Sequence, residues 1–136
     1  MGCRLPVTLY DSSLLIDYLD GDEAAVEYVE THLDERAVAP SLVLFEVYQG
    51  EVFKTGPADF DAVDRALAWL TIVDETAALA RAAGELQNEL RRRGEPLAAR
   101  DAYVAGAAVG LDECLAVADS DFDVDGITDF LDVDFV

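Results

Sequence analysis

Short apolar runs rich in β-branched residues alternate along this chain with longer stretches of helical periodicity. That alternation constrains the fold more than any other feature. Residues 5–10, 36–39, 71–73, 115–118 and 131–136 read as strands. Between them, Asp11-Ser12-Ser13 opens a helical pattern through Leu19, Asp20-Gly21-Asp22 breaks it, and a second amphipathic helix spans 23–33. Pro40-Ser41 is expected to stop the second strand and cap an apolar helix over 42–54. Further helices fall at 59–70, at 76–93 up to Gly94, and, after Pro96, at 98–109. Strands alternating with helices predict an α/β fold, a central parallel sheet of about four to five strands covered by helices on both faces. With no repeat, low-complexity tract or linker, residues 1–136 are expected to form a single domain.

Composition supports a core but restricts partners. At 52% hydrophobic residues the chain can offset its conformational entropy and is not a disordered acidic tail. Against this stand 29 Asp plus Glu and only nine Lys plus Arg, a formal charge of −20. Such a balance excludes holding nucleic acid through a broad basic face, and docking onto an anionic membrane. Lys54 is the one lysine among these cations. An acid-crowded, lysine-poor surface suits molar internal salt, where the Debye length falls to about 3 Å and self-repulsion is screened. No signal-peptide pattern and no apolar run near the roughly 20 residues of a membrane span is present, so a cytoplasmic protein is expected. Cys3 and Cys114 are too few for a disulfide framework or zinc site and are expected to be reduced, buried and small.

Most of the acids need only water, but four have apolar neighbours. Asp11 and Asp119 end the first and fourth strands, Glu46 interrupts Leu42-Val43-Leu44-Phe45-Glu46-Val47-Tyr48, and Asp101 lies early in the small-residue helix. In a parallel α/β sheet, residues just past strand ends and those in the first turns of following helices share one edge, where such folds place ligands. Four segments would then deliver carboxylates to one crevice. Two like charges about 5 Å apart repel by roughly 3 kcal/mol at an effective dielectric near 20, so such a cluster calls for protons or cations. Hard divalent cations favour oxygen donors. Taken singly, Asp11 and Asp119 also suit helix N-caps, and all four could be solvated surface on a non-enzymatic ion- or partner-binding module.

At these residues the sequence resembles the PIN-domain ribonucleases, specifically the VapC-type toxins of toxin–antitoxin pairs. The opening Leu9-Tyr10-Asp11-Ser12-Ser13-Leu14-Leu15-Ile16-Asp17-Tyr18-Leu19 resembles the family's first strand, acid and helix. The segment Ser41-Leu42-Val43-Leu44-Phe45-Glu46-Val47-Tyr48-Gln49-Gly50 resembles its second motif. Arg93-Gly94-Glu95-Pro96-Leu97-Ala98-Ala99-Arg100-Asp101-Ala102-Tyr103-Val104-Ala105 is similar to the third, and Leu115-Ala116-Val117-Ala118-Asp119-Ser120-Asp121-Phe122 to the fourth. Two positions depart: where the family often has Asn before the third acid and Thr two residues before the fourth, this chain has Arg100 and Val117. The departures bear on the groups around the acids rather than on the acids.

The resemblance implies an endoribonuclease dependent on Mg²⁺ or Mn²⁺, with Asp11, Glu46, Asp101 and Asp119 as catalytic metal ligands. It also implies a fourth-motif Asp121 in support, Ser12 or Ser41 hydrogen-bonding nearby, a homodimer, and inhibition by a VapB-like antitoxin. A housekeeping PIN nuclease of RNA processing is the alternative within the family.

Other motifs weigh less. Asp121-Phe122-Asp123-Val124-Asp125-Gly126 with Asp132 approximates a calcium-binding EF-hand loop but lacks the final Glu and the flanking helices. His32 is expected at a polar helix end facing solvent. Arg91-Arg92-Arg93 closes the longest helix, where cations favour the helix dipole, or meets RNA or an acidic partner.

Overall fold

The computed structural model describes residues 7–136, so the expected start of the first strand at Leu5, and Cys3, lie outside the described residues. The strands are β1 (Val7–Tyr10), β2 (Arg36–Pro40), β3 (Thr71–Val73), β4 (Cys114–Val117) and β5 (Val133–Phe135). The helices are α1 (Ser12–Leu19), α2 (Glu23–Thr31), α3 (Ser41–Phe53), α4 (Phe60–Ala66), α5 (Ala77–Arg92) and α6 (Ala99–Gly110). Two 3-10 turns, Ser120–Phe122 and Ile127–Asp129, carry the chain from β4 to β5.

All strand pairs are parallel, in the order β3-β2-β1-β4-β5. Successive strand side chains point to opposite faces, so unbroken burial along a strand means that both faces are covered. Every residue of β4 is buried, as are Thr8–Tyr10 of β1 and Ala37–Pro40 of β2. That burial is why these segments read as continuous apolar runs rather than alternating ones. The chain steps from β1 out to β2 and β3, then returns to lay β4 and β5 on the other side. Strand order therefore reverses between β1 and β4, and a crevice opens at their C-terminal ends.

The last two helices pack closely because their sequences are small. A Cβ on Gly106 would lie 2.2 Å from the Ala83 Cα, so only glycine lets α6 approach α5 this far. Gly94, at φ +79°, ends α5. Its N–H donates to the Arg91 carbonyl (2.9 Å) and that of Glu95 to the Leu90 carbonyl (2.9 Å), the paired bonds of a Schellman stop.

Four expectations change. Helix α4 ends at Ala66 rather than at Leu70; the chain turns there, Trp69 Nε1 donates to the Ala66 carbonyl (2.8 Å), and the indole packs edge-on against Tyr10 and Tyr18. Ser41 does not cap α3. The cap position is Pro40, which has no side-chain acceptor, and the Glu75 carboxylate, arriving from beyond β3, takes the Leu42 N–H (2.5 Å) and the Ser41 hydroxyl. His32 is not simply solvated: its ring stacks on Tyr28 at 4.1 Å, and Nδ1 lies 2.7 Å from the Tyr28 carbonyl oxygen. Cys114 is fully buried in β4 but disulfide-bonded, not a reduced thiol.

Candidate functional site

Backbone geometry brings three of the four acids directly together. Asp11 follows β1 and is the N-cap of α1; its Oδ2 accepts the Ser13 hydroxyl (2.8 Å) and, more weakly, the Ser13 N–H (3.3 Å). Glu46 projects from the second turn of α3. Asp101 is in the first turn of α6, where the helix N-terminus favours a carboxylate. Asp119 follows β4 and caps the next 3-10 turn, its Oδ1 accepting the Asp121 N–H (2.8 Å). The capping role and the place at the sheet edge thus coincide in Asp11 and in Asp119.

The group at the centre of the acids is Arg100. Its Nε donates to Glu46 Oε2 (2.7 Å), Nη1 to Asp101 Oδ1 (2.6 Å), and Nη2 to Asp11 Oδ1 (2.6 Å) and Ser12 Oγ (2.8 Å). Nη2 also meets Glu46 Oε1. One guanidinium therefore ties together residues from the start of α1, from α3 and from α6. Burial alone would make Arg100 easier to deprotonate, but the hydrogen bond to Glu46 and the Asp11 charge outweigh it and push its pKa up. Asp101 moves the other way from the usual paired acid: burial, with Asp11 and Asp119 nearby, outweighs Arg100 and holds its pKa above the ordinary carboxylate range.

Ser13 supplies a second tie. Its hydroxyl gives its proton to Asp11 and accepts the Ala118 N–H (3.1 Å), linking the ends of β1 and β4 across the crevice floor. Ser12 is buried within the cluster, whereas Ser41 is engaged by Glu75 at the head of α3. Asp121 is exposed and meets Asp119 through its backbone. Residues 121–132, the approximate calcium loop, form the two 3-10 turns, and Arg93 there donates to Asp129 (2.5 Å) over the Phe130 ring. Arg91 and Arg92 are exposed, Arg92 pairing with Glu89 at 3.3 Å.

The donor set is chemically suited to a hard divalent cation: charged oxygens from separate elements, facing one another. As arranged around the guanidinium, however, no three acid, histidine or cysteine side chains among the described residues form a ready metal site. An open groove of about 600 Å³ lies away from the acids, bordered by Tyr28, His32 and Phe135. No helix among the described residues is long and apolar enough to cross a membrane. Sequence reasoning missed the central place of Arg100 and the link through Ser13. Its only signal for the first was Arg100 standing where the family often has Asn.

Comparison with solved structures finds the same fold in VapBC2, FitAcB and VapBC-5, the last described as a member of a family of toxin–antitoxin systems. VapBC2 from Rickettsia felis, bound to a promoter DNA fragment, superposes with a TM-score of 0.79 at 18% identity, covering 95% of this chain and 98% of that one. FitAcB from Neisseria gonorrhoeae gives 0.76 at 18%, over 95% and 96%. VapBC-5 from Mycobacterium tuberculosis gives 0.67 at 20%, over 97% and 98%. Comparison with curated protein sequences returns no match. The PIN-domain family model matches residues 8–125, which include all four acids and the whole crevice. The chain belongs to the PIN-domain family.

Proposed function

We propose that this protein is a metal-dependent endoribonuclease, the toxin half of a toxin–antitoxin pair, with residues 1–136 forming one nuclease domain. The observation that carries the reading is the meeting of Asp11, Glu46 and Asp101, with Asp119 close to Asp101, at the point where strand order reverses. Its closeness in fold to VapBC and FitAcB assemblies supports an antitoxin partner of VapB type. A cytoplasmic setting and a homodimer belong to the same reading.

In this reading Asp11, Glu46, Asp101 and Asp119 hold Mg²⁺ or Mn²⁺. When bound, such an ion lowers the pKa of water and offsets charge on phosphoryl oxygens. The chain's own part is placement. Asp11 is fixed by Ser13 and by the β1–β4 ladder, through its N–H to the Ala116 carbonyl (3.0 Å). Asp101 is held by buried α6, and Ser12 braces the crevice wall beside Asp11. Asp119 and Asp121 lie on the more exposed side, with Asp121 in a supporting role beside Asp119.

The test is cleavage of RNA in molar KCl, with and without Mn²⁺, by the wild type and Asp101→Asn. Cleavage is expected only with the ion, and the substitution is expected to lower it by about a hundredfold or more. Full activity in Asp101→Asn would sink the assignment. No metal-dependent cleavage by the wild type would leave an acidic binding module as the better reading.

A further inference from the structure

Every guanidinium nitrogen of Arg100 is engaged, and the acceptors are the oxygens that a cation in this crevice would need. Both Glu46 oxygens, Asp11 Oδ1 and Asp101 Oδ1 are taken, while Asp11 Oδ2 is committed to Ser13. Among the described residues no other ion pair is of this kind: Arg81 meets Glu85 at 3.7 Å and Arg92 meets Glu89 at 3.3 Å, each a lone contact on an exposed helix face. A hard divalent ion such as Mg²⁺ draws its oxygens to about 2.0–2.1 Å, and it would have to enter the space between these carboxylates that the guanidinium, itself a cation, already fills. The guanidinium and the ion therefore compete for the same place among Asp11, Glu46 and Asp101.

We propose that Arg100 is a tethered cation holding the place of the divalent ion, and that metal loading is a displacement in which this side chain leaves the carboxylates. The inference rests on the reading of these acids as divalent-cation ligands. Displacement asks little of the backbone. Arg100 stands at the mouth of the crevice with its side chain 29% exposed, whereas the Asp11 side chain is 1% exposed. A flexible stem can carry the guanidinium outward while the acids stay where α1, α3 and α6 hold them. Arg100 is thus a positioning residue that sets metal affinity: an ion entering must displace charge-assisted contacts to three carboxylates that a neutral side chain cannot reproduce as a set.

The experiment titrates metal-free protein with Mn²⁺ by calorimetry, comparing wild type, Arg100→Gln, Arg100→Lys and Asp11→Asn. Arg100→Gln is expected to bind about tenfold more tightly than the wild type or better, Arg100→Lys to fall between them, and Asp11→Asn to lose the site. In the wild type, the Arg100 Nε–H resonance, assigned by its loss in Arg100→Lys, is expected to move as Mg²⁺ saturates. That measurement decides the matter even if Arg100→Gln, with its acids uncompensated, does not fold. Equal affinity in wild type and Arg100→Gln, or a resonance unmoved at saturation, overturns the displacement and leaves the nuclease reading intact. Absence of Mn²⁺ binding in every variant, or binding that survives Asp11→Asn, overturns both.

Discussion

At the head of β4, Glu113 is 4% exposed, and neither carboxylate oxygen has a hydrogen-bond partner among the described residues. Burial raises its pKa above the ordinary carboxylate value, and the charge of Arg36 only partly offsets this. A raised acid binds its proton more readily in the folded chain than in the unfolded one. Its stabilising contribution is present below the ordinary value of about 4.3 and is lost as pH rises through the raised one. Glu113→Met keeps the volume and removes both stranded oxygens. Urea unfolding at pH 7 should show it more stable than the wild type by about 1–3 kcal/mol. The gain should shrink toward pH 4. Asp101 is raised in the same direction, so a residual slope of the same sign is expected to remain.

Among the elements, the contact of α5 with α6 is the least forgiving. Gly106→Ala would push a methyl group into the Ala83 backbone, forcing the helices apart at a cost of about 1–3 kcal/mol, read as a lower Tm by circular dichroism. The strands and most helix limits were legible because burial on both sheet faces leaves unbroken apolar runs, and because Gly94 has the glycine stop that its φ requires. What escaped was set at long range. Pro40-Ser41 has the local look of a cap, yet the capping oxygen belongs to Glu75, which only the folding of β3 beside β2 brings near. The end of α4 was decided by where Trp69 packs, against rings contributed by β1 and α1.

For the whole molecule, a charge of −20 on 136 residues makes the compact state repel itself. Raising KCl from about 0.1 M to about 1 M shortens the Debye length from about 10 Å to about 3 Å. The Tm is expected to climb over that range, and NaCl to act alike if screening is the cause; a flat profile would argue against a surface matched to salt. Topology made the four acids visible in the sequence as a group, since strand ends and first helical turns share an edge. Their cation was not visible, because Arg100 stands next to Asp101 in the chain but reaches Asp11 and Glu46 only in the fold.

That same side chain bears on how the protein comes into being. Many small metalloproteins cannot complete their folds until the ion arrives, since nothing else quiets their ligands. Here the neutralising group is encoded in the polypeptide and arrives with it. If metal loading is a displacement of Arg100, a newly made chain closes its crevice without the ion, and assembly of the molecule is separated in time from metal binding.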